Sequence, residues 1–213
     1  KDPFLRWKPT FEKTNRGFLS DNELSNLETY DFISERLDRV RDLFVFSCYT
    51  GISYSDIMKL TKDNIHLGID ASNWIITTRQ KTKVLVKVPI LEKAQQLIDK
   101  YRNHPITQVT ETLFPIISNE KLNLYLKEVA NFSGIKKNLT FHMARHTFST
   151  TVTLSNGVPI ETVSKLLGHT KVTTTQIYAK VIERKVSDDM NNLKEILNSK
   201  KQQKGTNSNK SIS

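Results

Sequence analysis

Cysteine is almost absent from this sequence of 213 residues: Cys48, in the apolar run LFVFSCY, is the only one. A single cysteine cannot form a disulfide within the chain, which favours a reducing compartment, and we expect its thiol to be buried as a small apolar group. No apolar run approaches the roughly 18 residues of a membrane-spanning helix, and no segment resembles a P-loop. The sequence therefore argues against a disulfide-stapled domain, a membrane-spanning protein and a P-loop nucleotide hydrolase.

Acidic residues are also outnumbered. The 32 lysines and arginines exceed the 22 aspartates and glutamates, which gives a formal net charge of +10 and a pI of about 9.6. Such a balance suits a polyanionic partner, namely DNA, RNA or an acidic surface.

The ends of the chain differ in composition from its middle. The sequence begins without a methionine, and we expect residues 1–17 to be a basic linker from an N-terminal part that is missing. Residues 18–200 carry the periodic patterns of one folded domain. The polar segment 201–213 has no periodicity and is expected to be disordered.

Hydrophobic periodicity and capping signals predict a mostly helical domain with one small antiparallel sheet, of the α+β class. Helix starts are predicted at Ser20, with Glu23 completing a capping box, at Ser53 for a helix of about two turns, and at Thr140. The runs NWIITT and KVLVKVPI, joined by the basic RQKTK, predict two strands and a turn. A helix is also predicted over 32–49, and its apolar residues Leu37, Val40, Leu43, Phe44 and Phe46 should be buried. Further helices are predicted over 91–102 and 119–132, at ETVSKLL before Gly168, and at TTTQIYAK. A last helix should carry the C-terminal stripe of Val186, Met190, Leu193 and Leu197.

The segment HMARH has three interpretations. His142 and His146 share a helix face, as metal ligands do, but Met143 occupies the place of the glutamate in the zinc motif H-E-x-x-H, and no cysteine cluster could complete a structural site. His142 and Arg145 also share a face, and a guanidinium pairs well with phosphate oxygens, the more so near a helix start capped by Thr140. A solvated surface helix is the third interpretation, which an isolated H-x-x-R would favour.

The motif is part of an ordered set. A basic hairpin containing Lys81 precedes it, LLGHT with His169 follows, and TQIYAKV places Tyr178 nine residues after that histidine. In this order and wording, residues 18–200 closely resemble the catalytic domain of the tyrosine recombinases, the phage integrase family. The resemblance implies that fold, and a core-binding domain in the missing N-terminal part.

The resemblance also implies roles. Tyr178 would be the nucleophile and Arg145 the second of the family's two arginines, which binds the scissile phosphate. His142 matches a position that helps proton transfer, and His169 one that bonds a phosphate oxygen. Lys81 matches the hairpin lysine that acts as general acid.

Two other assignments stay open. Lys83 and Lys87 are alternatives to Lys81 on the same hairpin. His146 is expected to be structural or to contact the residues that bind the substrate without binding it directly. Among the cationic residues we expect contacts with DNA from Arg79, Lys83, Arg41 and Lys171.

The sequence departs from the family at its first arginine. The stretch CYTGISYSD matches the family's T-G-L-R-x-S-E at Thr50 and Gly51, with Asp56 at the acidic position, but Ser53 fills the arginine position. Serine cannot donate a charged bidentate pair. Integrases of Bacteroides conjugative transposons look similar here, so we expect another arginine to compensate: Arg79, on the same face of an extended strand as Lys81, or else Arg41.

The implied function is a site-specific recombinase or integrase, which joins Tyr178 to a DNA 3′-phosphate and exchanges strands to integrate or excise a mobile element. It needs no cofactor and no metal. The implied partners are double-stranded DNA with specific recombination sites, other protomers in a tetramer on a Holliday junction, and a host DNA-bending protein, in the cytoplasm at the nucleoid and not at a membrane. The C-terminal stripe could dock on its own domain or on a neighbouring protomer.

Three alternatives compete with this function. The first is a degenerate DNA-binding module without catalysis, which the serine at position 53 favours. The second is a metal-dependent nuclease built on the histidines. The third is a type IB topoisomerase, which shares the chemistry but usually carries large flanking domains that are not seen here.

Overall fold

The computed structural model describes residues 17–178 and, further along, Ser187, Met190, Asn191, Leu193 and Lys194. The predicted linker, apart from Gly17, and the predicted tail lie outside these residues, as do Val186 and Leu197 of the C-terminal stripe. Met190 and Leu193 have helical backbone and are each nearly half exposed. Among the residues described, no helix combines the length and the apolar character that crossing a membrane requires.

Helix α2 (Glu35–Thr50) forms the centre of the fold. Every apolar residue that the sequence predicted to be buried on this helix is buried, and so is Cys48. Burial raises the pKa of the Cys48 thiol well above its usual value. The helices packed around α2 are α1 (Asp21–Thr29), α4 (Glu92–Tyr101), α6 (Asn119–Phe132) and α7 (Phe141–Thr147).

Short elements connect these helices. The capping box predicted at the start of α1 is confirmed: Ser20 Oγ accepts from the Glu23 amide at 3.3 Å, and the Glu23 carboxylate accepts from the Ser20 amide at 2.8 Å. The remaining elements are α3 (Tyr54–Ile57), α5 (Pro105–Thr110), α8 (Ile160–Leu166) and the 3-10 turns Lys62–Asn64, Leu154–Asn156 and Val172–Tyr178.

The sheet is antiparallel, in the order β1 (Ile65–Leu67), β2 (Asn73–Thr78) and β3 (Leu85–Pro89). The predicted hairpin of β2 and β3 is confirmed. Strand β1 has only three residues and was not predicted, because so short a run carries no alternation pattern. The pair Ile75 and Val88 joins β2 to β3 on the face buried in the core.

Two predicted helix starts differ from the structure. Helix α3 has four residues, not two turns, and Ser53 makes no cap because its hydroxyl donates to the Asp56 carboxylate at 2.6 Å. Thr140 occupies the N-cap position of α7 but its side chain makes no cap bond either. The first amide of α7, that of Phe141, donates instead to Asn123 Oδ1 of α6 at 2.8 Å.

Helix α7 runs on into a π-helical segment, Phe148–Thr153, that the sequence did not predict. Its hydroxyl side chains bond to carbonyls of the preceding turn: Ser149 Oγ donates to the Arg145 carbonyl and Thr150 Oγ1 to that of His146, each at 2.8 Å. Such bonds compete with the regular helical pattern, and π-helical turns recur at functional sites.

Arg41 is held within the domain. Its Nε donates to Asp42 at 2.6 Å, its Nη2 to Asp38, and its Nη1 to carbonyl groups at the end of α1 and just after it. Its side chain is 11% exposed and paired with two carboxylates, which disfavours Arg41 as a DNA contact and as the replacement for the missing arginine. Asp42 is buried on α2 and also accepts from Lys100 at 2.6 Å and from the Tyr101 hydroxyl at 2.8 Å, which ties α2 to α4.

We predict that Asp42→Ala lowers the free energy of unfolding by about 3 kcal/mol, because Arg41, Lys100 and the Tyr101 hydroxyl lose their shared buried partner. The measurement is urea unfolding at neutral pH. Glu128→Ala is the control, since it breaks the exposed pair with Arg36 at 3.0 Å and should cost at most about 1 kcal/mol. Equal losses in the two variants would contradict the assignment.

Candidate functional site

Two arginines meet at one carbonyl oxygen. Arg145, from α7, is 6% exposed; its Nη1 donates to the Gly51 carbonyl at 2.5 Å, and its Nη2 donates to the Leu167 carbonyl. Arg79, one residue past the end of β2, also donates through Nη1 to the Leu167 carbonyl. The helix end, the hairpin and the loop after α2 thus converge on a pair of guanidinium groups.

A glycine lets the hairpin come this close to α8. Gly168, in the motif LLGHT, has a φ of +62°. A Cβ there would lie 2.6 Å from Val86 Cγ1 and 3.0 Å from Arg79 Cγ. Any larger residue would therefore clash with Val86 of β3 and crowd the Arg79 side chain, besides straining the backbone at this positive φ.

Asp56 connects the loop that lacks arginine to the arginine of the hairpin. Its Oδ2 lies 3.1 Å from Arg79 Nε and accepts from Ser53 Oγ at 2.6 Å. Its Oδ1 accepts from the Gln80 amide at 2.9 Å. Arg79 is thereby bound to the loop in which the family places its first arginine.

One detail predicted for Arg79 is wrong. Arg79 and Lys81 do not share a strand face, because β2 ends at Thr78 and Lys81 lies in the turn. The side chain of Arg79 is 11% exposed, whereas Lys81 is exposed.

The site carries more positive than negative charge. Within the part of the chain that the structure describes, Asp56 is the one carboxylate paired with these two guanidiniums. Burial, and after it the charge of Arg79, lowers the pKa of Arg145. Burial also lowers the pKa of Arg79, and the charge of Asp56 opposes that change. A buried excess of positive charge is costly without an anion, so the pair is suited to bind one.

The dipole of α7 does not supply this preference. Arg145 is the fifth residue of that helix, and its guanidinium bonds to the Gly51 and Leu167 carbonyls. The guanidiniums are therefore the groups suited to bind an anion, and the anion site at the helix start stays a prediction.

His169 follows α8 and is half-buried beside the arginines. Its Nδ1 lies 2.8 Å from Thr175 Oγ1. Burial, then the charges of Arg145 and Arg79, lowers the pKa of His169 to about 4. The ring is therefore neutral near pH 7. In the tautomer in which Thr175 donates to Nδ1, Nε2 carries the proton and can donate to an oxygen.

Tyr178 is 7% exposed and packs in a second hydrophobic cluster with Phe148, Val163 and Leu167. A hydrogen bond of 2.6 Å links its hydroxyl to Nδ1 of His146. His146 was expected to be structural or supporting, and the structure places it in direct contact with the predicted nucleophile. The spacing of His146 from His142, four residues on one helix, was the sequence signal for its position.

The two histidines of HMARH contact each other through their rings. The ring centroids of His142 and His146 are 4.5 Å apart and the planes are nearly perpendicular, at 86°. His142 is exposed, while His146 is buried. Among the described residues, no three His, Cys, Asp or Glu side chains are arranged to hold a metal ion.

The predicted lysines are at the surface. Lys81 and Lys83 lie on the turn between β2 and β3, Lys87 on β3 and Lys171 between α8 and the following 3-10 turn, and all are exposed. Within the described residues, Lys81 forms no ion pair with the carboxylate of the site. The structure thus brings together Arg79, Arg145, His169, His146 and Tyr178, with the lysines outside.

The model of the phage integrase family matches residues 18–184. This chain belongs to the phage integrase family. The tyrosine recombinase XerD of Listeria innocua is 32% identical over 155 residues, which cover 65% of this chain and 49% of that protein. XerD of Staphylococcus aureus is 28% identical over 194 residues, 87% of this chain and 65% of that protein. The chain therefore spans about half to two thirds of the length of these relatives.

Solved structures share the fold. One is XerH, a site-specific recombinase bound to palindromic difH substrate. The match covers 82% of this chain and 52% of the XerH chain, with a TM-score of 0.62 and 19% sequence identity. The Tn1549 transposon integrase in complex with transposon right end DNA matches 79% of this chain and 62% of its own, with a TM-score of 0.55 at 17% identity. The predicted fold class, a mostly helical tyrosine recombinase catalytic domain with a small sheet, is confirmed.

The lowered pKa of His169 predicts a pH dependence of stability. As the pH falls through about 6.5, His169 of the unfolded chain binds a proton, whereas His169 of the folded protein binds one only near pH 4. The unfolded state then binds more protons, so this group makes stability fall as the pH drops through that window. His169→Gln should flatten the slope of unfolding free energy against pH there.

The measurement is urea unfolding of wild type and variant at steps from pH 7 to pH 4. His66→Gln, at an exposed position of β1, controls for the loss of a histidine as such. A slope in His169→Gln equal to that of wild type would contradict the assignment.

Proposed function

We propose that this chain is the catalytic domain of a tyrosine-type site-specific recombinase, which cuts and rejoins DNA strands through Tyr178. One observation carries the proposal. Two guanidiniums, those of Arg79 and Arg145, share one carbonyl partner and lie in the same site as a buried tyrosine hydroxyl that is hydrogen-bonded to an imidazole. This is an anion site next to a nucleophile.

A phosphodiester fits the site. Arg79 and Arg145 both donate to one carbonyl oxygen, so the two guanidiniums lie close enough together to bind the oxygens of one phosphate through their other N–H groups. In phosphoryl transfer, charge builds up on the equatorial oxygens of phosphorus, and fixed cationic donors stabilise that charge. His169, neutral and half-buried, adds a donor for a further oxygen.

The bonds made and broken balance without a cofactor. The Tyr178 oxygen attacks phosphorus, a tyrosyl 3′-phosphate ester forms, and the bond from phosphorus to the 5′-oxygen breaks. The phenol loses a proton and the 5′-oxygen gains one. A 5′-hydroxyl from a partner strand then attacks the tyrosyl ester, so the bond energy is kept and no ATP is needed.

The exposed lysines surround this centre. Lys81, on the hairpin turn three residues beyond β2, is the proposed donor of the proton to the 5′-oxygen. Lys83 and Lys171 would contact the DNA backbone. The net charge of +10 supports binding of a polyanion.

Arg79 is proposed to take the place of the family's first arginine. Ser53 carries no charge. Its hydroxyl donates to the Asp56 carboxylate, and that carboxylate also pairs with Arg79. Both arginines of a complete phosphate site would then be present, which disfavours the degenerate binding module as the alternative function.

The partners and setting follow from the proposed reaction. Strand exchange requires two DNA duplexes with recombination sites, and we propose a tetramer of protomers on a Holliday junction, aided by a host DNA-bending protein. The likeness in fold to a transposon integrase supports a role in moving a mobile element. Such a reaction would take place in the cytoplasm at the nucleoid.

The full-length protein should form a covalent adduct with a nicked suicide DNA substrate. The adduct should survive both denaturant and metal chelator, because the bond is a phosphotyrosyl ester and no metal takes part. Tyr178→Phe should form none, while Tyr30→Phe, at a partly exposed position, should behave as wild type. Denaturing gel electrophoresis reads the result.

Two outcomes would contradict the proposal. A mobility shift without any adduct would favour the binding module, and cleavage that stops on adding chelator would favour a nuclease.

Arg79→Ala should slow adduct formation by about 10²–10³-fold, the loss typical of removing one donor that stabilises transition-state charge. Ser53→Ala should stay within a few-fold of wild type, since serine offers phosphate no charged donor. Single-turnover cleavage rates measure both, with DNA affinity determined separately. Rates near wild type in both variants would contradict the role of Arg79.

A further inference from the structure

The hydroxyl of Tyr178 and the imidazole of His146 form a buried pair. The hydroxyl oxygen lies 2.6 Å from Nδ1, and the two residues are 7% and 3% exposed. Few polar pairs in the described part of the chain are so short and so well shielded from water. The contact joins the proposed nucleophile to a titratable group that the proposed reaction has not used.

The local structure fixes this pair. Arg145 and His146 are neighbours on α7, so one helix turn directs a guanidinium towards the Leu167 carbonyl and an imidazole towards Tyr178. Thr150 Oγ1 bonds to the His146 carbonyl at 2.8 Å and holds the backbone behind the ring. On the other side, Tyr178 packs on Leu167 and its cluster. The phosphate site and the nucleophile are thereby set at a fixed spacing.

A phenol is a weak nucleophile until it loses its proton, since its ordinary pKa is about 10. A proton acceptor must lie within hydrogen-bonding distance, about 2.6–3.2 Å, of the oxygen that attacks. Nδ1 of His146 meets that condition before DNA is bound.

We propose that His146 is a catalytic residue, the acceptor of the Tyr178 proton during strand cleavage and its donor during rejoining. The inference rests on the proposed function. In cleavage, the Tyr178 oxygen bonds to phosphorus as its proton passes to Nδ1, while the 5′-oxygen leaves with a proton from Lys81. Rejoining reverses each transfer, so no proton is left unaccounted for.

The assignment gives the three histidines different tasks. His169 is bonded to Thr175 at 2.8 Å and lies beside the arginines, which suits a donor to a phosphate oxygen. His142, exposed and edge-on to the His146 ring, is the neighbour nearest to solvent in this row. The Nδ1 of His146 lies 2.6 Å from the hydroxyl of the proposed nucleophile.

A substrate with sulfur in place of the bridging 5′-oxygen separates the two proton transfers. A thiolate leaves without needing an acid, so this substrate should rescue Lys81→Ala. It should not rescue His146→Leu, because the tyrosine must still lose its proton. With the ordinary nicked substrate, His146→Leu should slow adduct formation in the full-length protein by about 10²–10⁴-fold, with DNA affinity within a few-fold of wild type.

A more acidic nucleophile gives an independent readout. With a fluorinated tyrosine introduced at position 178, the phenol is more readily deprotonated, so the rate lost in His146→Leu should be partly recovered. His146→Asn, which keeps a polar side chain, serves as a second variant should the leucine variant be unstable. His66→Asn, at an exposed position, is the control.

The wild-type protein allows a test that needs no variant of His146. The proposal requires an unprotonated Nδ1 with the proton on Nε2, which ¹⁵N chemical shifts of the imidazole distinguish. A protonated Nδ1 in the neutral ring would overturn it.

Other results would also overturn it. Adduct formation by His146→Leu at or above the wild-type rate would make the contact a resting-state restraint only, and rescue of that variant by the sulfur substrate would assign His146 to the leaving group. No adduct in wild type would overturn the proposed function as well, whereas a wild-type adduct with unaffected His146 variants would overturn this inference alone.

Discussion

The convergence of Arg79 and Arg145 on the Leu167 carbonyl is the constraint on which the site depends. Two buried like charges repel, so this arrangement requires a carboxylate, Asp56, and carbonyl oxygens at the ends of α2 and α8. Gly168 is needed to let the hairpin approach. The elements that meet there are distant in sequence, and the large core around α2 is what holds them in one place. The charge that remains uncompensated explains why the site should take a phosphate.

The second hydrophobic cluster has a separate role. It is small, and it packs the C-terminal turn that carries Tyr178 against α8 and the π-helical segment. Because α7 contributes both Arg145 and His146, the distance between the proposed phosphate site and the proposed nucleophile is set within one helix turn and one small cluster. The main core thus positions the two arginines, and the second cluster positions the tyrosine.

The sequence predicted the helical class, the hairpin, the buried face of α2 and the motifs that meet in the site. These features depend on local patterns, which are visible in a single chain. It could not predict that Arg41 is held within the domain, since the carbonyl groups at the end of α1 that it bonds are brought to it only by the fold. The π-helical segment and the short β1 carry no periodic pattern. The motif indicated that a charge is missing at Ser53. The position of Arg79 beside that loop, however, depends on its tertiary contacts with Asp56 and Gly168. The contact between His146 and Tyr178 also spans 32 residues and has no local signal beyond a shared helix face.

The central claim is that Arg79 and Arg145 together bind the scissile phosphate. The most direct measurement is a crystal structure of full-length Tyr178→Phe with uncleaved recombination-site DNA. The account predicts that both guanidiniums contact non-bridging oxygens of that phosphate while Asp56 still holds Arg79. A structure in which Arg79 stays on the Leu167 carbonyl, and another residue joins Arg145 at the phosphate, would contradict it.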